Sequence, residues 1–117
     1  MCDNNQHEIH FVMQFADSNG APRELRIGHR LPSGQYLGWH VVAGTYASHD
    51  NTLALYVDGT RAGTASAPAG ARRITNTAPL TIGSLAGGNL PFLGYIREVL
   101  LFDRALTDDE LNARSVP

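Results

Sequence analysis

The chain lacks most features that indicate a membrane protein, a disulfide scaffold or a nucleic-acid partner. Its 117 residues include one cysteine, Cys2, so an internal disulfide is excluded. No apolar run approaches the roughly 18 residues of a membrane span, and the polar N-terminus lacks the apolar stretch of a secretory signal. The net charge is −2 and the longest basic run is Arg72-Arg73, whereas phosphate binding needs clustered cations.

The acidic residues are too scattered to indicate an enzyme. Glycoside hydrolysis needs two carboxyl groups across the bound sugar, roughly 5 to 9 Å apart, but the expected strands carry only Glu24 and Glu98. Glu98 shares strand parity with Ile96 and Leu100, so we expect it to point inward and pair with an arginine, because a lone buried carboxylate is costly. Phosphate loops, nucleophile elbows and dinucleotide-binding fingerprints are also missing, which predicts a non-catalytic protein.

What the chain has is a series of short apolar runs separated by turn residues. With 12 glycines and 17% charged residues, it is typical of a many-stranded domain. Asp58-Gly59 supplies the two positive-φ positions of a type I′ hairpin, and Leu53, Leu55 and Val57 on its first strand are expected to face the core. The other predicted strands are residues 9–15, 23–29, 39–46, 80–83 and 92–102.

Predictions for the core and the chain ends complete the outline. Three aromatic residues on these strands are expected in the core: Trp39, Phe92 and Phe102. Thr107 and Glu110 form a capping-box pattern that opens a short C-terminal helix, with Leu111 directed inward. We expect residues 1–8 to be a disordered tail and residues 9–117 to form a single domain.

Five motifs, in this order, resemble the laminin-G-like branch of the concanavalin A-like lectin domains. They are Trp39-His-Val-Val-Ala-Gly-Thr-Tyr46, Leu55-Tyr-Val-Asp-Gly59, Leu80-Thr-Ile-Gly83, Gly94-Tyr-Ile-Arg-Glu-Val99 and Phe102-Asp-Arg-Ala-Leu106. The resemblance implies an all-β fold, an antiparallel jelly-roll β-sandwich. It also implies a glycan-binding module of extracellular or cell-surface proteins, sometimes with calcium.

The chain departs from this family in ways that bear on assembly. Family members usually carry several more strands before the Trp-His motif, and Arg97 stands where they often have an acid. Residues 99–102 are apolar on both faces, and such a strand needs cover on both faces. If the missing strands are absent, a second copy of the chain is the obvious cover, which predicts a homodimer.

A glycan site needs exposed aromatic rings for stacking and polar side chains for hydrogen bonds. The predicted ligand-binding residues are Tyr36, His40, Tyr46, His49, Asp50, Asn51, Asn89, Tyr95 and Arg97. The alternative for each tyrosine is a half-buried sheet residue with a satisfied hydroxyl. The competing function is a protein-interaction or self-assembly module that binds no sugar and associates through residues 99–102.

Calcium is the one cofactor that the loops suggest, and no other is expected. Asp50 and Asn51 are its predicted ligands, and residues 17–20 are a second source of oxygen donors. Asx turns would explain both stretches without a metal.

Overall fold

The strands and the helix follow the chain in a simple order. The computed structural model describes residues 2–3, 8–32, 34, 38–84, 88 and 91–114. Within them lie, in chain order, β1 (Cys2–Asp3), β2 (Glu8–Ala16), β3 (Pro22–Arg30), β4 (Val42–Ala47), β5 (Thr52–Val57), β6 (Thr60–Ser66), β7 (Arg72–Arg73) and α1 (Asp108–Ala113). None of the helical segments in this part of the chain has the length and hydropathy needed to cross a bilayer.

The hairpin of β5 and β6 forms where the sequence predicts it. Asp58 and Gly59 adopt φ values of 52° and 82°, the left-handed conformations of a type I′ turn, which match the twist of the flanking strands. Val57 then pairs with Thr60, and a bulge shifts the register between Leu55 and Tyr56.

Two antiparallel sheets pack face to face, which confirms the predicted sandwich. One sheet has the order β1-β2-β3, with β7 also paired to β2, and the other has the order β4-β5-β6. The core between them joins side chains from both sheets, and Leu53 and Leu55 are fully buried there, as expected. Removing each leucine side chain from water stabilises the fold by about 2 kcal/mol, before the loss of conformational entropy is subtracted. The other buried members of this cluster are Ile9, Ile27, Leu31 and Val57.

The opposite face of β5 is also buried, because the C-terminal helix covers it. Ala54 and Tyr56 form a second apolar cluster with Leu106 and Leu111. The Tyr56 hydroxyl donates to Asp108 Oδ1 at 2.6 Å, just where the helix begins. Burial, followed by this hydrogen bond to a carboxylate, raises the pKa of Tyr56. The helix is therefore attached to β5 by apolar packing and by a hydrogen bond.

The predicted capping box is present at the start of α1. The Glu110 amide donates to Thr107 Oγ1 at 3.2 Å, and the Thr107 amide donates to Glu110 Oε1 at 3.1 Å. Two of the four amides that a helix start leaves unsatisfied are thereby paired. Leu111 is buried, so its predicted inward direction is confirmed.

Cys2 and Asp3, which belong to the predicted disordered tail, instead form a short strand. The backbone of Cys2–Asp3 forms β1, paired with Ile9 and Glu8 of β2. The remaining residues of the predicted tail, 1 and 4–7, lie outside the described residues. A polar segment can add to a sheet in this way because β-pairing satisfies backbone groups regardless of side-chain hydropathy.

Two of the predicted strands do not form, and three aromatic residues that were predicted to lie in the core are exposed. Residues 80–83 and 92–102 adopt no regular strand, and Trp39, Phe92 and Phe102 are 53%, 47% and 46% exposed. The strand expected from residue 39 begins only at Val42. Apolar alternation describes side chains, whereas a strand also needs a neighbouring edge for its backbone groups.

Glu98 also differs from its predicted place. It is exposed and makes no ion pair with any described residue, so the prediction of an inward, arginine-paired acid is wrong. Arg26 and Arg104, two of the arginines that could have paired with it, are engaged elsewhere, since Arg26 pairs with Glu24 and Arg104 pairs with Glu110. The parity argument failed because it assumed that residues 92–102 form a strand inside the sandwich.

The contact between the two sheets gives a first prediction, at Gly44. A Cβ on residue 44 would overlap the ring of Phe11, so we expect Gly44→Ala to lower the free energy of unfolding by about 1–3 kcal/mol. Urea denaturation measures this loss. In a Phe11→Ala background the same glycine change should cost less, and an equal cost in both backgrounds would contradict the overlap.

The ion pair at the helix start gives a prediction for acid. Arg104, followed by the Thr107 amide, lowers the pKa of Glu110 from 4.5 to about 2. A carboxyl group whose pKa is lower in the folded state contributes stability above its unfolded pKa and loses it as the pH falls toward the folded value. Between pH 4.5 and 2, Glu110→Gln should therefore lose less stability than the parent protein.

Denaturation midpoints at pH 7 and pH 3 measure this difference. The matched control is Asp109→Asn, since Asp109 lies in the same helical turn and makes no ion pair with a described residue. If Glu110→Gln kept the full acid sensitivity of the parent protein, the pair would not be its source.

Candidate functional site

An open groove of about 1320 Å³ runs beside β4. One side is the continuous run of residues 38–49, which contains β4, and the other side is formed by Phe92 and residues 95–106 with gaps. Ile9, Phe11 and Leu31 also line it. Within the described residues β4 pairs with β5 only, so its second edge faces the groove. A strand of six residues makes this edge roughly 20 Å long.

Five of the nine predicted ligand-binding residues line this groove. They are His40, Tyr46, His49, Tyr95 and Arg97. The ring of Tyr95 is 86% exposed, whereas the Tyr46 hydroxyl is part-buried and donates to Asn51 Oδ1 at 2.6 Å. The groove thus brings together residues that lie up to 57 positions apart along the chain, on two different segments.

The other four predicted residues do not line the groove or lie outside the described residues. Tyr36 and Asn89 belong to the second group. Asn51 adopts φ 53°, accepts from Tyr46 and donates to the Ala71 carbonyl at 3.2 Å, so its amide holds the loop together. Asp50 is exposed and its Oδ2 lies 3.4 Å from His49 Nε2.

The predicted calcium ligands, Asp50 and Asn51, include a single carboxylate. No group of three or more histidine, cysteine, aspartate or glutamate side chains is arranged to hold a metal in the described part of the chain. At the second predicted source, Asp17 Oδ1 accepts from the Asn19 and Ala21 amides, each at 2.9 Å. The Ala21 hydrogen bond is the main cause that lowers the pKa of Asp17, with Arg23 second. This carboxylate therefore closes an Asx turn.

Asp58 positions the entrance to β4, which is a role that the sequence did not suggest. Its Oδ2 lies 2.7 Å from His40 Nδ1, and its Oδ1 accepts from the Val41 amide at 2.9 Å. The Asp58 amide in turn donates to the Val41 carbonyl at 2.8 Å. The hairpin turn thereby fixes the groove wall at His40, 18 residues earlier in the chain.

Three arginines of the groove lie over aromatic rings that also line it. The Cζ atoms of Arg73, Arg97 and Arg114 are 5.3, 5.5 and 5.0 Å from the ring centroids of Tyr46, Trp39 and Phe102. These distances are within the range of cation–π attraction. The stacks join separate segments, so each ring is held by a side chain that is distant in sequence.

Comparison with known proteins decides the family. A family model described as the concanavalin A-like lectin/glucanases superfamily, and named for the laminin G domain, matches residues 3–112. The chain belongs to this superfamily. The predicted family is thereby confirmed over nearly the whole length.

A comparison of this laminin G domain with solved structures adds a weaker similarity. The solved structure of an S-layer domain-containing protein from Clostridium thermocellum (residues 221–444) is 25% identical, with a TM-score of 0.46. The match covers 94% of this chain and 52% of that chain, so the present chain spans about half of that structure. No curated protein matches the chain.

Several groove residues of the laminin G domain were missed by sequence reasoning. Trp39 and Phe102 were assigned to the core, and Arg73 and Arg114 were not singled out at all. Nothing in the local pattern marks these arginines, because their ring partners lie 27 and 12 residues away. Arg97 is a predicted ligand-binding residue, and its guanidinium lies over the Trp39 ring.

Proposed function

We propose that this domain binds carbohydrate, without catalysing a reaction on it, in the groove along β4. The observation that carries the proposal is the exposure of large aromatic side chains in a concave site. Trp39 is 53% exposed and Tyr95 is 86% exposed, although both line the groove. A sugar ring covers such a side chain with its apolar face, while the polar end of the aromatic residue stays hydrated.

The polar residues of the groove support the same ligand. His49 and Arg97 add exposed polar side chains to the lining of the groove. Sites for small organic ligands combine a largely apolar lining with a few such groups. Because the open edge of β4 is roughly 20 Å long, the groove suits an extended oligosaccharide better than a single sugar.

The acids of the groove favour binding over hydrolysis. Glu98 and Asp103 both line it, and both side chains belong to exposed residues. A general acid for glycoside cleavage needs a raised pKa, which burial in an apolar pocket provides. An exposed carboxylate is suited to accept hydrogen bonds from sugar hydroxyls.

We further propose an extracellular or cell-surface location for this module, because the resemblance to the laminin-G-like domains implies such a setting.

The test compares two neighbouring exposed side chains. Tyr95→Ala should weaken binding of mixed plant and microbial oligosaccharides at least about tenfold, the scale of one lost aromatic stacking contact, while the melting temperature is unchanged. Leu93→Ala is the matched control, since Leu93 is 75% exposed but does not line the groove. Titration calorimetry and a glycan array measure both. A folded protein that bound none of the glycans would contradict the proposal.

A second candidate function, self-assembly, is favoured by one specific observation. Residues 91–102 expose apolar side chains over their whole length, including Leu93 at 75% and Leu101 at 74%. The only backbone hydrogen bond from this segment to another described loop runs from the Phe92 amide to the Gly83 carbonyl at 2.6 Å. Contiguous exposed apolar surface of this kind marks interaction sites. A second copy of the chain would cover it.

Assembly has a test that is independent of sugar. If two copies meet through residues 91–102, Leu101→Glu should convert a dimer into a monomer, because a buried lone charge is costly. Leu80→Glu is the matched control, since Leu80 is 71% exposed and lies outside both the segment and the groove. Sedimentation measures the mass of each variant. A parent protein that stays monomeric at high concentration would reject this candidate.

A further inference from the structure

We infer that a second copy of the chain adds residues 92–102 as a strand to the open edge of β4, and that this pairing closes the groove to carbohydrate. The strand addition stands on backbone groups, charge and exposed area, whereas the exclusion of sugar rests on the proposed function. Each copy would donate one segment and accept one, which gives a symmetric pair.

The acceptor is the edge of β4 that no described strand covers. In an antiparallel pair, alternate residues direct both backbone groups toward the same neighbour. Val41 faces the hairpin, since its carbonyl accepts from the Asp58 amide at 2.8 Å and its amide donates to Asp58 Oδ1. By alternation, the backbone groups of Val42, Gly44 and Tyr46 point into the groove, where an added strand would pair with them.

The donor segment has a matching row of backbone groups. Residues 92–102 form no regular strand, and their only backbone–backbone hydrogen bond to another described residue is the one from the Phe92 amide to the Gly83 carbonyl. In an extended chain the even-numbered side chains share one face, and the large apolar ones among them all line the groove. They are Phe92, Ile96, Leu100 and Phe102.

The chain's own segment is held on the far side of its groove. The hydrogen bond of Phe92 holds one end, and beyond the other end Leu106 is buried in the cluster that joins β5 to the helix. Residues 92–102 are left exposed between these two points, with Tyr95 at 86% and Leu101 at 74%. The segment is therefore kept from its own β4 and presented to a second copy.

The charges of the two sides of the groove are complementary. Residues 92–103 carry two acids and one arginine, whereas residues 38–49 contain no acid. Glu98 and Asp103 have no cation within ion-pair distance among the described residues, and Arg73, which lies over Tyr46 of β4, has no acid within that distance. The acids of one copy would thus approach the arginine of the other, which favours this orientation.

The exposed apolar area is sufficient for a pair. Trp39, Phe92, Tyr95 and Phe102 are 53%, 47%, 86% and 46% exposed. At about 200 Å² for a whole aromatic side chain, these four leave about 460 Å² uncovered in each copy and about 900 Å² in a pair. The five exposed aliphatic side chains of residues 93–101 raise this area into the range of roughly 1,200–2,000 Å² that stable interfaces bury.

Strand addition and carbohydrate would use the same surface. Tyr95 and Arg97 belong both to the lining of the groove and to the donated segment, and a strand on β4 fills the space in front of Trp39. The second copy and the sugar therefore compete. By linkage, each weakens the binding of the other by the same factor.

A proline at Val42 tests the backbone pairing. Proline lacks the N–H group but is tolerated at the first residue of an edge strand, so β4 can still pair with β5 while one outward donor is lost. Sedimentation should show a paired parent protein and at least about tenfold weaker pairing for Val42→Pro. Val42→Ala, which keeps the N–H group, should lose less, and an equal loss would overturn the strand addition. Melting temperatures would show that both variants are folded.

Hydrogen exchange locates the pairing on β4. The amides of Val42, Gly44 and Tyr46 should exchange at least about tenfold more slowly at high protein concentration than at low, because the added strand protects them. The Thr45 amide, which points to β5, should be protected at both concentrations. Protection of all four amides at every concentration would mean that the chain pairs with its own segment, and would overturn the role of a second copy.

Cellohexaose, xylohexaose and maltohexaose test the exclusion of sugar. A hexasaccharide that binds should convert the pair into single copies in sedimentation, and its measured affinity should fall as the protein concentration rises. A pair that binds a hexasaccharide and keeps its mass would overturn the exclusion. A parent protein that stays single at every concentration would overturn the whole inference and leave carbohydrate binding intact. If no oligosaccharide binds the single copy, the proposed function fails, while the Val42→Pro result still decides the strand addition.

Discussion

The burial of β5 on both of its faces is the constraint on which the rest of the structure depends. Leu53, Leu55 and Val57 pack against the opposite sheet, while Ala54 and Tyr56 pack against the helix and Leu106. A strand that is apolar on both faces is stable only when both are covered. The second sheet and the C-terminal helix therefore pack against the same six residues, from opposite sides.

The groove follows from what the two sheets leave uncovered. β4 gives one edge to β5, and its other edge opens toward residues 92–106, which lie across from it without strand pairing in the described structure. Side chains that would be core in a fully covered sandwich are thus presented to solvent. A surface of this kind is suited to take a ligand or a partner.

Local chemistry allowed much of the fold to be predicted. Asp58-Gly59 fixes its turn through backbone conformation, Thr107 and Glu110 fix the helix start through two reciprocal hydrogen bonds, and Leu55 shows its direction by alternation. The groove was only partly predictable. Tyr95 and Arg97 were selected for the kind of side chain that sugars contact, but Trp39 was assigned to the core on the same pattern that correctly placed Leu55.

The sequence by itself determined where the Asp58-Gly59 hairpin turns and where the C-terminal helix is capped, because each of these depends on residues within a few positions of one another. Only the tertiary structure decided which apolar runs were covered and which were left open, since alternation shows that a side chain seeks cover but not whether a neighbouring strand supplies it. The same limit applies to the arginine pairs: Arg97 meets Trp39 across 58 residues of chain, a contact that folding creates and that no local pattern contains.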